Sequence, residues 1–306
     1  MKLDSKILKG SFPPLVTPFR DGKVDYDAYA KLVEFQVKSG SHGIVVTGTT
    51  SEPSTLTVAE RQRCLEVALE TAGKNRKLQI VAATGSQSHA ETVALSEHAE
   101  ATSADALLIV TPYYIRPSQR GLVAYYLDLA KRTQKPWMIY HIPGRAAVSV
   151  TLDTVKAIKD GAANFVGMKH AVDDLGFVSK CIDAFGPEFR IFVGLEDLSF
   201  PMMAVGACGL MNAVGNLAPK RLVELCELVF AGKLEAAKKL HYELFEINQA
   251  VFYDTNPTPM KYMMKRLGIL ERNEHRLPMM PATPELEKRL DGVLARAGLI
   301  EKAAAE

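Results

Sequence analysis

Asn164-Phe165-Val166-Gly167-Met168-Lys169-His170-Ala171 has the length and apolar character of a buried strand, yet it carries a lysine near its C-terminal end. Lysine is almost never fully buried without a partner or a chemical task. Two readings compete. One is a strand-end lysine with its ammonium in water. The other is an amine nucleophile in an apolar pocket, where desolvation leaves part of it neutral and reactive. Taken alone, the run favours the first reading, because most lysines are exposed. The surrounding sequence has to decide.

Working outward, seven more β-rich apolar runs accompany 165–170, at 12–16, 43–47, 78–84, 106–110, 136–142, 190–193 and 209–213. Their starts lie roughly 20 to 35 residues apart, the length of a strand–helix unit. Amphipathic stretches fill the gaps, among them 26–39, 57–72, 89–101, 119–133 and 152–159. Thr57 with Glu60, and Ser88 with Glu91, each fit a capping box at a helix start. Eight β-then-α units in succession predict an α/β protein, a parallel sheet closed into a (β/α)8 TIM barrel. An open doubly wound sheet is the competitor, but no Gly-x-Gly-x-x-Gly turn follows the first strand. After about residue 217 the strand pattern stops, and 221–230, 234–251, 259–267 and 284–297 read as helices. They are separated by the breakers Asn256-Pro257-Thr258-Pro259 and Leu277-Pro278-Met279-Met280-Pro281. The predicted organisation is a catalytic barrel over 1–230 followed by a C-terminal helical appendage over 231–306, whose end at 301–306 frays.

Composition narrows the function. The chain has 306 residues, 47% of them hydrophobic, and a net charge of +2 with no dense Lys/Arg block, which argues against a nucleic-acid partner. No apolar segment approaches bilayer-spanning length, and the opening Met1-Lys2-Leu3-Asp4-Ser5-Lys6 leads into no signal-type core, so a cytoplasmic location is expected. Cys64, Cys181, Cys208 and Cys226 are scattered without a Cys-x-x-Cys pair, as buried free thiols in a reducing compartment would be. The seven histidines show no metal-ligand spacing, so no metal site is expected.

In such a barrel the chemistry sits at the C-terminal ends of the strands. Strand two ends in Thr47-Gly48-Thr49-Thr50-Ser51-Glu52, strand four in Thr111-Pro112-Tyr113-Tyr114, strand five in Tyr140-His141-Ile142-Pro143-Gly144-Arg145 and strand six in Lys169. Hydroxyls, phenols, an arginine and the lysine therefore gather on one rim, which shifts the odds toward function. Alternation puts Phe165, Gly167 and Lys169 on one face and Met138 and Tyr140 on another, with Gly167 leaving room beside the lysine stem. If both faces point inward, Lys169 can attack a ketone to give an imine while Tyr140 gives and takes the proton. The Gly48-Thr49-Thr50 turn suits a small carboxylate, and Arg145 can clamp a second one. Together the parts suggest carbon–carbon chemistry on a 2-keto acid. Each alone is weaker: Gly-Thr-Thr is a common turn, Tyr113-Tyr114 reads as a packed aromatic pair, and Arg145 as a solvated loop charge. His141 and His170 fall on the opposite strand face and are expected behind the barrel wall.

These motifs resemble the dihydrodipicolinate synthase / N-acetylneuraminate lyase family of pyruvate-dependent class I aldolases over nearly the whole length. The resemblance is carried by Gly48-Thr49-Thr50-Ser51-Glu52, Thr111-Pro112-Tyr113-Tyr114-Ile115-Arg116-Pro117-Ser118-Gln119, Tyr140-His141-Ile142-Pro143-Gly144-Arg145 and Gly167-Met168-Lys169. It implies that Lys169 forms a Schiff base with pyruvate and that Tyr140 is the acid/base. It further implies that Thr50 passes protons between Tyr140 and Tyr114, the latter from a neighbouring subunit, and that Thr49 and Thr50 hold the pyruvate carboxylate. Arg145 would take the carboxylate of aspartate semialdehyde, a feature of the synthase branch, and Met211 would line the substrate site. The family implies a homotetramer built as a dimer of dimers, with no metal or organic cofactor. The implied reaction condenses pyruvate with L-aspartate 4-semialdehyde toward diaminopimelate and lysine. Alternatives are another pyruvate-dependent aldolase or dehydratase acting on 2-keto-3-deoxy sugar acids, or a catalytically silent barrel. Ser51, His141 and His170 depart from the family wording, as does Met211-Asn212-Ala213-Val214-Gly215-Asn216. A lysine-feedback site is only partly matched, by Tyr113, Gln87 and Glu91, with Val58 and Arg61 where some members have histidines.

Overall fold

Eight short strands form one sheet in the computed structural model, which describes residues 7–73 and 77–301. They are β1 (Gly10–Ser11), β2 (Gly43–Val46), β3 (Gln79–Ala83), β4 (Ala106–Val110), β5 (Trp137–His141), β6 (Phe165–His170), β7 (Arg190–Val193) and β8 (Gly209–Leu210). All neighbours in the order β1-β8-β7-β6-β5-β4-β3-β2 pair in parallel. A parallel Pro14–Val45 bridge, with Leu15 N–H donating to Val45 O at 3.0 Å, closes the ring between β1 and β2. The (β/α)8 TIM barrel read from the repeat of strand and helix patterns is the fold observed. The segments 1–6 and 302–306, where the opening and the expected fraying fall, lie outside the described residues.

The first and last strands are shorter than expected for a local reason. Pro13 and Pro14 carry no N–H for a ladder, so the 12–16 run contributes a bridge while pairing moves back to Gly10–Ser11. After Leu210 the chain turns into a 3-10 segment at Ala213–Asn216, which ends β8 early. The barrel helices are α1 (Tyr26–Ser39), α2 (Val58–Ala72), α3 (His89–Glu100), α4 (Gln119–Ala130), α5 (Leu152–Gly161), α6 (Leu175–Phe185), α7 (Ser199–Ala204) and α8 (Pro219–Phe230). Thr57 and Glu60 complete the capping box of α2. Ser88 caps α3, but Glu91 turns away to accept from Ser86 Oγ at 2.6 Å, so the second box is half formed.

Beyond the barrel lie α9 (Leu234–Glu243), α10 (Phe245–Ala250), α11 (Thr258–Arg266) and α12 (Pro284–Arg296), the helical appendage. The single helix expected over 234–251 is split at Leu244. The breaker loops on either side of α11 reach back over the barrel mouth, and two of their peptide bonds, Asn256–Pro257 and Leu277–Pro278, are cis. The larger apolar cluster fills the space between strands and helices, while Phe12, Val81, Leu108, Met138, Tyr140 and Phe192 belong to the cluster inside the ring. All four cysteines are buried free thiols.

Candidate active site

Lys169 and Tyr140 are partners in the β5–β6 register, and the lysine Nζ lies 4.4 Å from the centre of the tyrosine ring. Lys169 is only 5% exposed, so the solvated strand-end reading fails. The alternation of β6 is interrupted once, contrary to the expectation that Phe165 shares the face of Gly167 and Lys169. The register shifts between Trp137–Phe165 and Met138–Gly167, so Val166 is an extra residue that enters the interior cluster. Phe165 therefore leaves the face of Gly167 and Lys169 and stacks on Trp137 outside the wall, with ring centres 4.7 Å apart. Gly167 serves the sheet rather than the lysine, because a Cβ there would sit 1.9 Å from Arg190 O. The space for the lysine stem comes from Gly194, where a Cβ would approach Lys169 Cε to 2.8 Å.

The β2 end is held from several sides. Thr47 and Glu52 adopt positive φ angles of 56° and 57°, bracketing the 3-10 turn Thr49–Ser51. Thr47 Oγ1 donates to Ala83 O at 2.9 Å, and the buried Ser51 hydroxyl donates to Leu15 O at 2.5 Å. Ser51 thus ties the turn to the segment after β1 and lines neither cavity at the barrel mouth. Glu52 is locked by Lys261 Nζ at 2.5 Å and His275 Nδ1 at 3.3 Å. Within this turn the two threonines divide. Thr49 Oγ1 donates to the Tyr140 hydroxyl at 3.2 Å, whereas Thr50 Oγ1 accepts from Asn256 Nδ2 at 3.0 Å. A relay through Thr50 would need its hydroxyl on Tyr140, and the threonine hydroxyl bonded to Tyr140 is that of Thr49, because the turn aims adjacent hydroxyls in different directions.

Two adjoining cavities open here. The smaller, about 50 Å³, is lined by Lys169, Tyr140, Thr49, Thr50, Met211 and Glu196, among others. The larger, about 320 Å³, runs from Thr49 and Tyr140 past Arg145, Arg61 and Tyr113 to Pro257 and Met279 of the appendage. Arg145 sits on the single helical turn Pro143–Ala146 after β5 and lines both. Tyr114 does not join them. It stands 81% exposed on a projecting turn at a φ of 75°, with Ile115 exposed beside it. Asn256 and Glu196 had not been singled out from the sequence. Glu196 follows β7 on the same rim and could have been found by applying the strand-end rule there; Asn256 was hidden inside a breaker motif.

Behind the wall, His141 and His170 are buried with Nδ1 atoms 3.3 Å apart, and His170 stacks on Phe177. Val150 N–H donates to His141 Nε2 at 3.1 Å, so a neutral His141 carries its proton on Nδ1 and gives it to His170. Burial, with His170 beside it, pushes His141 down to about 4, and burial lowers His170 as well. Arg61 is a buried guanidinium held by Ala83 O and Gly85 O at 2.9 and 3.2 Å, and burial lowers it to about 10. It also borders a further cavity lined by Val58, Gln87, Glu91 and Tyr113.

The profile of the "Dihydrodipicolinate synthetase family" matches residues 7–297. A "4-hydroxy-tetrahydrodipicolinate synthase" of Thermus thermophilus is 42% identical over 298 residues, covering 97% of this chain and 98% of that protein. One of Nitratidesulfovibrio vulgaris is 36% identical over 292 residues, 95% and 99% of the two chains. Among solved structures, the dihydrodipicolinate synthase of Aquifex aeolicus superposes with a TM-score of 0.92 at 35% identity, over 95% of this chain and 98% of that one.

Proposed function

The chain belongs to the dihydrodipicolinate synthetase family, and we propose that it is a Schiff-base lyase that condenses pyruvate with L-aspartate 4-semialdehyde to 4-hydroxy-tetrahydrodipicolinate. The observation that carries this reading is the convergence of Lys169, Tyr140 and Thr49 in a cavity that Arg145 also borders. Lys169 attacks the ketone of pyruvate, and loss of water gives an imine that serves as an electron sink. Removal of a methyl proton then gives an enamine, whose carbon attacks the aldehyde. Tyr140 exchanges these protons, with its hydroxyl oriented by Thr49. The turn at Thr49 and Thr50 receives the pyruvate carboxylate, and Met211 closes the apolar side. Arg145 takes the carboxylate of the second substrate in a bidentate pair.

The same reading makes the protein a cytoplasmic homotetramer, a dimer of dimers in which Tyr114 enters a neighbour's site. The exposure of Tyr114 and Ile115 on their projecting turn supports this. No described helix is long and apolar enough to cross a membrane. Lysine is not expected to inhibit, because Val58 and Arg61, in place of the histidines of some members, border the cavity that Gln87, Glu91 and Tyr113 also line. Turnover of aspartate semialdehyde against a panel of short aldehydes and 2-keto-3-deoxy sugar acids tests the substrate assignment. Preference for the semialdehyde, lost about 100-fold in Arg145→Ala while imine formation with pyruvate survives, is the expected result. Preference for a sugar acid would instead make the chain a related aldolase or dehydratase.

A further inference from the structure

Glu196 opens the one-turn segment Glu196–Leu198 after β7 and lines the smaller cavity together with Lys169, Tyr140 and Arg145. It is a buried carboxyl with a divided environment. Oε1 accepts from Ala213 N–H at 2.6 Å, while Oε2 is buried and takes part in no hydrogen bond among the described residues. Its backbone is pinned. Ser199 Oγ donates to Glu196 O at 2.6 Å, Asn248 Nδ2 donates to the same carbonyl at 3.1 Å, and Asn212 Nδ2 donates to Ser199 Oγ at 2.6 Å. The side chain is therefore held at the cavity rather than free to reach water. Among the described residues Lys169 forms no ion pair within 4.0 Å, so amine and carboxyl act on each other across the cavity instead of by direct contact.

A carboxylate buried with one oxygen unsatisfied is costly, and taking up a proton relieves that cost. Burial pushes Glu196 up to about 7, and Asp197 adds to the rise. The Ala213 N–H and the charge of Lys169 oppose it. Tyr140 and Arg145 are the other ionisable groups of this cavity. A group of this kind exchanges a proton near neutral pH, as an acid–base catalyst must.

We propose that Glu196 is a second acid–base catalyst of the imine cycle, donating the proton with which the carbinolamine hydroxyl leaves as water. This rests on the Schiff-base reading above. As Nζ bonds to the ketone carbon, the C=O electron pair moves to oxygen, which takes the proton shed by nitrogen. The C–O bond then breaks while the Glu196 proton passes to the departing hydroxyl, and the nitrogen lone pair closes the C=N bond. The products are water, an iminium cation and a Glu196 carboxylate facing it. At the end of the cycle the condensed product's own amine adds to the iminium carbon and displaces Nζ, with the Glu196 carboxylate taking the proton that this amine sheds.

The test is the rate of borohydride trapping of pyruvate on the full chain, followed by intact mass from about pH 5 to about pH 9. Glu196→Gln keeps an acceptor for Ala213 N–H and nearly the same volume. It is expected to slow trapping about tenfold or more and to erase the limb near neutral pH. Glu196→Asp, which keeps the carboxyl, is expected to recover part of the rate with the limb displaced. Wild-type trapping rate and pH profile in Glu196→Gln would overturn the inference. Should that variant not fold, an unmoved limb in Glu196→Asp would overturn it equally. A wild-type chain that traps no pyruvate would instead sink the Schiff-base reading itself.

Discussion

Lys169 and Lys261 are both buried lysines, and their surroundings differ in the one respect that matters. Lys261, 0% exposed, reaches from α11 to Glu52 at 2.5 Å and donates also to Glu274 O at 2.7 Å, with its charge over the Phe19 ring. Burial lowers its pKa, but Glu52 opposes that by favouring the charged form. Lys169, 5% exposed, has no carboxylate within ion-pair distance among the described residues and faces a cavity, with its amine 4.4 Å from the centre of the Tyr140 ring. One lysine is satisfied and ties the appendage to the turn after β2. The other is held where a small molecule can reach it. Burial alone does not mark a reactive lysine; burial beside empty, polar-lined space does.

That contrast can be broken at several points. The largest effect is expected from Lys169→Ala, which should lower turnover by about 10⁴-fold while leaving the unfolding transition nearly in place. A kinetic assay with a urea melt reads both, and residual turnover near wild type would remove Lys169 from the chemistry. Lys261→Met is expected to behave in the opposite sense. It strands Glu52 in the interior, and breaking a buried pair from one side costs about 3–5 kcal/mol. A denaturation midpoint equal to wild type would show that Glu52 does not depend on Lys261.

Glu196 gives a subtler effect. Its pKa rises from 4.5 to about 7 on folding, so the folded chain binds the proton more tightly than the unfolded chain. The resulting stability is complete below about pH 4.5 and is lost as pH climbs through about 7, roughly 3 kcal/mol in all. Glu196→Gln should flatten that slope, which denaturant titrations across the window would measure. The smallest effect separates the two threonines. Thr49→Val should lower turnover about tenfold by releasing the Tyr140 hydroxyl, and Thr50→Val should act mainly on the KM for pyruvate. Equal kcat losses in both would return the relay to an undivided turn.

Much of this was legible in the sequence. The strands at Ala106–Val110, Phe165–His170 and Arg190–Val193 and the helix at Tyr26–Ser39 were expected with the bounds observed, because apolar alternation and caps act locally. The rim rule brought Lys169, Tyr140, Thr49 and Arg145 together without any contact being known. What escaped depends on geometry that local pattern does not encode. The bulge at Val166 sent Phe165 outward, since one extra residue reverses the alternation behind it. The dihedral angles of the 49–51 turn decide which hydroxyl meets Tyr140. Asn256 and Lys261 reach the site from more than two hundred residues along the chain, as their bonds to Thr50 and Glu52 record. His141 and His170 were expected behind the wall, and there they are, bonded to each other.

The most direct measurement reduces the chain with borohydride in the presence of pyruvate and maps the adduct by mass spectrometry of a proteolytic digest. A single adduct on Lys169 is expected, with Lys261 unmodified. An adduct on any other lysine, or none, would contradict that expectation.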